Sequence, residues 1–255
     1  MNNNQFFLYD EKVESNLKKA KHLLMLSMNG VVSENMSSLD YRLNYGVSLP
    51  RIIELSKRFP KDSLVANCFW NTNCRELKIL ATLLYPEDKF TEDLFFQWLP
   101  SCSTMELAEQ LSRNLLIKLP WANSLIMSVS VAKEPFHLIL IFLLATRQIQ
   151  LALFDFQNCN CLLEVAAQCL CSDDYKVATS VIRFLKLLSR THSNEVLAFL
   201  ELMKDRDAHY YQIAYEEVLT EEEYKTKVAE ETAEIYKDKE ALAEWLDDNF
   251  DEIDI

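Results

Sequence analysis

Glycine is almost missing from this chain: Gly30 and Gly46 are the only two among 255 residues. So few glycines exclude a β-rich fold built on tight turns, and they exclude a glycine-rich loop that cradles phosphate. Proline is absent after residue 135. All six prolines, at 50, 60, 86, 100, 120 and 135, fall at or before it. Read as punctuation, they divide that stretch into helical runs of ordinary length, and longer helices are expected after Pro135. Long hydrophobic runs are also missing. The longest, residues 138–145, is too short to cross a bilayer, so no membrane partner is expected. Residues 1–9 lack the basic start and cleavage site of a secretory signal. The seven cysteines are an odd number and form no small secreted framework, which favours reduced thiols and a cytoplasmic location.

Positive charge is in short supply, and unevenly so. The chain holds 26 Lys+Arg against 39 Asp+Glu. Residues 205–255 contain 5 and 18 of these, which leaves 21 of each sign in residues 1–204. The net charge of −13 therefore belongs to the last fifth. A neutral helical body over residues 1–204 and an acidic helical extension over 205–255 are the expected divisions. Nucleic-acid binding asks for clustered Lys and Arg, so any such surface must be a basic stripe on the neutral body. The acidic end reads first as a solvated helical face; as a dedicated tail it suits a protein partner, or it covers a basic face by standing in for phosphate charge. It is not low-complexity sequence. Thr220 with Glu223 fits a capping box. Tyr224, Val228 and Ile235 share one helical face, and Leu242, Trp245, Leu246, Phe250 and Ile253 continue an apolar stripe.

What is present is helical pattern. Residues 10–28 read as an amphipathic helix, with Gly30 breaking or capping it. Pro50 opens a short helix, Asp62 caps a second over residues 63–70, and a third runs from about Cys74 through Leu77, Leu80 and Leu84. Thr91 opens another run. Ser103 with Glu106 fits a capping box for a helix over 104–118. Segments 121–132, 136–146, 159–171, 173–190 and 193–204 complete the series. Helices joined by short polar turns, pair after pair, predict an all-α solenoid. No strict sequence period is visible.

Residues 45–50, Tyr-Gly-Val-Ser-Leu-Pro, then Trp70, then residues 75–81, Arg-Glu-Leu-Lys-Ile-Leu-Ala, resemble the DNA alkylation repair family, the AlkD-like glycosylases. The likeness covers residues 21–85 most closely and extends to about residue 200. It implies a superhelix of HEAT-like repeats. It also implies a metal-free and cofactor-free reaction that removes N3- and N7-alkylated purines from duplex DNA without flipping the base into a pocket.

In that family a tryptophan and an aspartate lie one helical turn apart, the ring against the damaged nucleotide and the carboxylate against charge developing on the sugar. The resemblance places Met105 at the tryptophan and Glu109 at the aspartate. Met105 has no π face for a cationic base. Glu109 keeps the charge with an extra methylene, a misplacement of a size that costs catalysis ~100-fold. A family arginine falls near Ile139, and a second family tryptophan falls at Arg183 or Phe184. Glu109 is thus the catalytic candidate, with a solvated helix glutamate as the alternative.

Arg75 with Lys78, and Arg183 with Lys186 and Arg190, form two basic rows at helical spacing that could meet DNA phosphates. An exposed face paired to Glu76 is the competing reading for the first row. Cys159, Cys161, Cys169 and Cys171 are spaced two apart, which points paired thiols to different sides of a helix. They read as buried small side chains rather than metal ligands. His137 reads as a core histidine. Two functions remain open: duplex-DNA binding with alkylpurine excision, and a non-enzymatic repeat scaffold for protein partners.

Overall fold

The computed structural model describes residues 11–36, 41, 43–156, 159–204, 206 and 208–248, with the backbone alone at Tyr236 and over 240–248. Within them lie α1 (Glu11–Leu26), α2 (Gly30–Met36), α3 (Leu49–Ser56), α4 (Ser63–Trp70), α5 (Arg75–Leu84), α6 (Glu92–Trp98) and α7 (Met105–Asn114). There follow α8 (Ala122–Met127), α9 (Pro135–Gln150), α10 (Cys159–Leu170), α11 (Tyr175–Ser189), α12 (Ser193–Met203) and α13 (Tyr211–Asp248). Short 3-10 turns occupy Glu87–Lys89, Leu99–Ser101, Leu116–Lys118 and Ser128–Val131. The expected signal-free start at residues 1–9, and Phe250 and Ile253 of the apolar stripe, lie outside the described residues. So do the side chains of Leu242, Trp245 and Leu246.

From α5 onward every second helix packs beside the next: α5 on α7, α7 on α9, α9 on α11 and α11 on α13. Helices α4, α8, α10 and α12 pack against this row. This is the expected all-α solenoid. Hydrogen bonds recur across it at a fixed offset of 31 residues. Tyr45 donates its N–H to Glu76, Trp98 Nε1 donates to Asn67, Trp121 Nε1 donates to the Phe90 carbonyl, and Lys186 donates to Glu217. The repeat is therefore carried by contacts rather than by repeated letters.

Local chemistry sets the helix ends. Asp62 Oδ1 accepts from the N–H groups of Leu64 and Val65, and Thr91 Oγ1 accepts from Leu94. Two expected capping boxes are corrected. The cap of α7 is Thr104, and Glu106 turns away to Arg75 and Tyr41. Thr220 lies inside α13, where its hydroxyl donates to the Glu216 carbonyl, because nothing between residues 211 and 235 interrupts the helix. Gly30 starts α2 rather than ending α1. Gly46 has φ 64°, and a Cβ there would lie 2.3 Å from the Asn29 carbonyl oxygen.

The charge boundary at residue 204 is not a packing boundary. Tyr210, Ala214 and Val218 are buried in the same core as the rest, so the first turns of α13 serve as the last helix of the row. From Glu223 to Ile235 the helix stands exposed.

Candidate nucleic-acid interface

Arg75 and Lys78 do not reach the surface, which corrects their assignment to phosphate. Arg75 is 2% exposed. Its guanidinium donates to both oxygens of Glu106, with Nε to Oε2 at 2.7 Å and Nη2 to Oε1, and Nη1 donates to the Val47 carbonyl and to Glu76. Glu76, fully buried, also accepts from the Tyr45 and Val47 N–H groups. Burial works against the Arg75 charge, but the hydrogen bonds and charge of Glu106, with those of Glu76, hold its pKa above the usual value. Tyr41 donates to Glu106 at 2.5 Å, and burial followed by that carboxylate pushes its pKa up. The network fastens Tyr41, Tyr45 and Val47 onto α5 and α7. Sequence suggested the Glu76 partner and missed Glu106.

Lys78 Nζ donates to the carbonyls of Trp70 and Ser101 and lies 4.7 Å from the Trp70 ring centroid. Trp70 in turn stacks on Trp98 with centroids 4.3 Å apart. Burial lowers the Lys78 pKa to about 8. This lysine belongs to the core.

The surface of the helix row does hold a basic cleft, formed by α7, α9 and α11. Glu109, Ser112 and Arg113 line it from α7; Leu143, Arg147 and Gln150 from α9; Arg183 from α11. Arg183 Nη1 donates to Glu109 Oε1 at 2.6 Å across α9. Two residues singled out by different arguments, Glu109 and Arg183, thus meet. Arg147 Nη1 donates to Gln150 at 3.0 Å, while Arg147 Nε and Ser112 Oγ are buried without a hydrogen-bond partner among the described residues. Three arginines and one carboxylate therefore line the cleft, with the carboxylate hydrogen-bonded to Arg183, and two of its polar groups lack an acceptor.

Other expected positions move or change role. Met105, at the first turn of α7, is half-buried against the core. Ile139 is fully buried, so no side chain there can face a ligand. The arginine of α9 is Arg147, two turns farther on. Phe184 is buried. Lys186 and Arg190 are held by α13, with Lys186 Nζ 2.7 Å from Glu217 and Arg190 Nε 2.5 Å from Glu221. Arg113 and Arg147 were missed by sequence reasoning. Their only local signal is position: each lies in the last turn of its helix, where a cation suits the helix dipole. The seven cysteines are free thiols. His137 is buried, and burial lowers its pKa. Among the described residues no three His, Cys, Asp or Glu side chains converge as metal ligands, and no helix is long and apolar enough to cross a membrane.

The sequence matches the family described as DNA alkylation repair enzyme over residues 36–215. No curated protein matches. The fold is similar to a solved structure described as a new family of proteins related to the HEAT-like repeat DNA glycosylases, with affinity for branched DNA structures. That likeness has a TM-score of 0.66 at 10% identity and covers 79% of this chain and 93% of the other.

Proposed function

The chain belongs to the DNA alkylation repair family, and from that membership we propose that it binds DNA through the cleft of α7, α9 and α11 without excising alkylated bases. The observation that carries this reading is the arrangement of Arg113, Arg147 and Arg183 around Glu109. Three cations against one anion attract a polyanion, and guanidinium forks match phosphate oxygens. The same surplus opposes excision. Loss of an alkylated purine builds positive charge on the sugar, and that charge would form among three arginines. Glu109, the one carboxylate in the cleft, is already engaged by Arg183. Met105 supplies no ring to hold the base.

The fold neighbour's affinity for branched DNA makes junctions worth comparing with plain duplex as the substrate of this cleft. A cytoplasmic protein with no cofactor fits the same reading. The acidic, exposed part of α13 supports a second role, contact with a protein partner.

The test is release of free base from duplex DNA carrying 7-methylguanine, at protein concentrations shown to bind it, with Glu109→Gln alongside. Binding with no release from either protein is expected. Release by the wild type that Glu109→Gln loses would make this an active glycosylase.

A further inference from the structure

Arg183, Lys186 and Arg190 lie at i, i+3 and i+7 of one helical stripe, with Arg190 at the C-terminal cap of α11. Arg183 turns into the cleft; the other two meet α13. Glu217 and Glu221 sit one turn apart on the α13 face that packs against α11. Glu217 Oε2 is 2.7 Å from Lys186 Nζ, Glu221 Oε1 is 2.5 Å from Arg190 Nε, and Glu221 Oε2 is 3.9 Å from Lys186 Nζ. The Glu221 carboxylate is 8% exposed, yet Arg190 is 53% exposed. These cations remain open to solvent, unlike Arg75, which makes its ion pair at the same 31-residue offset while enclosed. A carboxylate offers them the acceptor oxygens that a phosphate would.

We infer that α13 is a built-in competitor for nucleic-acid phosphate: Glu217 and Glu221 occupy the far end of the α11 cation stripe and stop the DNA-binding surface at Arg183. This rests on the DNA-binding reading of the cleft. The competitor does not depend on its ion pairs for its place, because Tyr210, Ala214 and Val218 anchor α13 in the core. Its carboxylates can be neutralised with the helix still docked.

The experiment titrates a short fluorescent duplex with full-length Glu217→Gln/Glu221→Gln and wild type across a salt series, with thermal melting as the folding control. The double variant is expected to bind roughly tenfold more tightly at low salt, with a salt slope steeper by about 0.9 for each freed cation. Adding Lys186→Gln/Arg190→Gln to that variant is expected to restore wild-type binding; the same pair in the wild-type background changes little. Unchanged affinity and slope in Glu217→Gln/Glu221→Gln, while Arg147→Gln/Arg183→Gln abolishes wild-type binding, overturns the competitor and leaves the cleft assignment standing. Absence of binding by every protein, the double variant included, overturns both.

Discussion

Arg75 and Lys78 are three residues apart on one helix and carry charge into the core by different means. Arg75 is matched by two carboxylates, whereas Lys78 has carbonyls and an indole ring but, among the described residues, no counter-ion. Removing Arg75 strands Glu76 in a fully buried site, so Arg75→Ala is expected to cost about 3–5 kcal/mol in urea unfolding. Lys78 yields a pH signature. Its folded pKa, about 8, lies below the ordinary lysine value. Between pH 8 and the ordinary value the unfolded chain therefore binds more protons, and stability rises with pH there by up to about 3 kcal/mol. Cys74 and Cys102, pushed up to about 12 by burial, act in the opposite sense above pH 9. The contribution of Lys78 is thus read as the difference between wild type and Lys78→Met in melting temperature against pH. A flat difference across pH 8–10 would contradict it. The two glycines make a sharper pair. Gly46→Ala forces a Cβ into the backbone of Asn29 and Ser33 at positive φ, while Gly30 has open space around it. Unfolding should show Gly46→Ala losing more than 1 kcal/mol and Gly30→Ala losing none, or gaining up to about 1 kcal/mol.

At the scale of helices, the sequence announces where elements begin far better than which face they present. Asp62, Thr91, Pro50 and Pro135 mark starts through local chemistry, and the structure keeps them. Glu106 matched a capping pattern, but a buried guanidinium 31 residues away competes for it more strongly than a solvated backbone N–H. Arg75 and Lys78 failed as surface residues for the same reason. Helical spacing says two side chains share a face and is silent on what covers that face. Arg147 escaped because the resemblance puts the family arginine near Ile139, whereas the cleft opens near the helix end. Arg183 and Glu109 could be named singly, but their meeting at 2.6 Å depends on α9 lying between α7 and α11. The cleft gives an element-scale expectation. Arg113→Gln, Arg147→Gln and Arg183→Gln should each weaken DNA binding similarly across sequences and lower the salt slope by about 0.9. Their melting temperatures should stay near wild type, since all three are exposed or half-exposed.

Across the whole molecule, charge is distributed by packing rather than by segment. The body is neutral in sum, yet its charges sort into enclosed pairs such as Arg75–Glu106, pairs between row helices such as Arg190–Glu221, and one cleft with cations in excess. The sequence showed the acidic last fifth plainly. It did not show that the first turns of that fifth complete the helix row, because burial of Ala214 and Val218 depends on α11 standing beside them. Nor did it show the 31-residue repeat, since the contacts that keep the offset use different side chains at each step.

The most direct measurement is the salt dependence of duplex binding by wild type and by Arg113→Gln/Arg147→Gln/Arg183→Gln. A linear fall of log affinity with log salt is expected for wild type, with the slope of the triple variant shallower by about 2.7. Equal affinities and equal slopes would contradict a DNA-binding cleft among α7, α9 and α11.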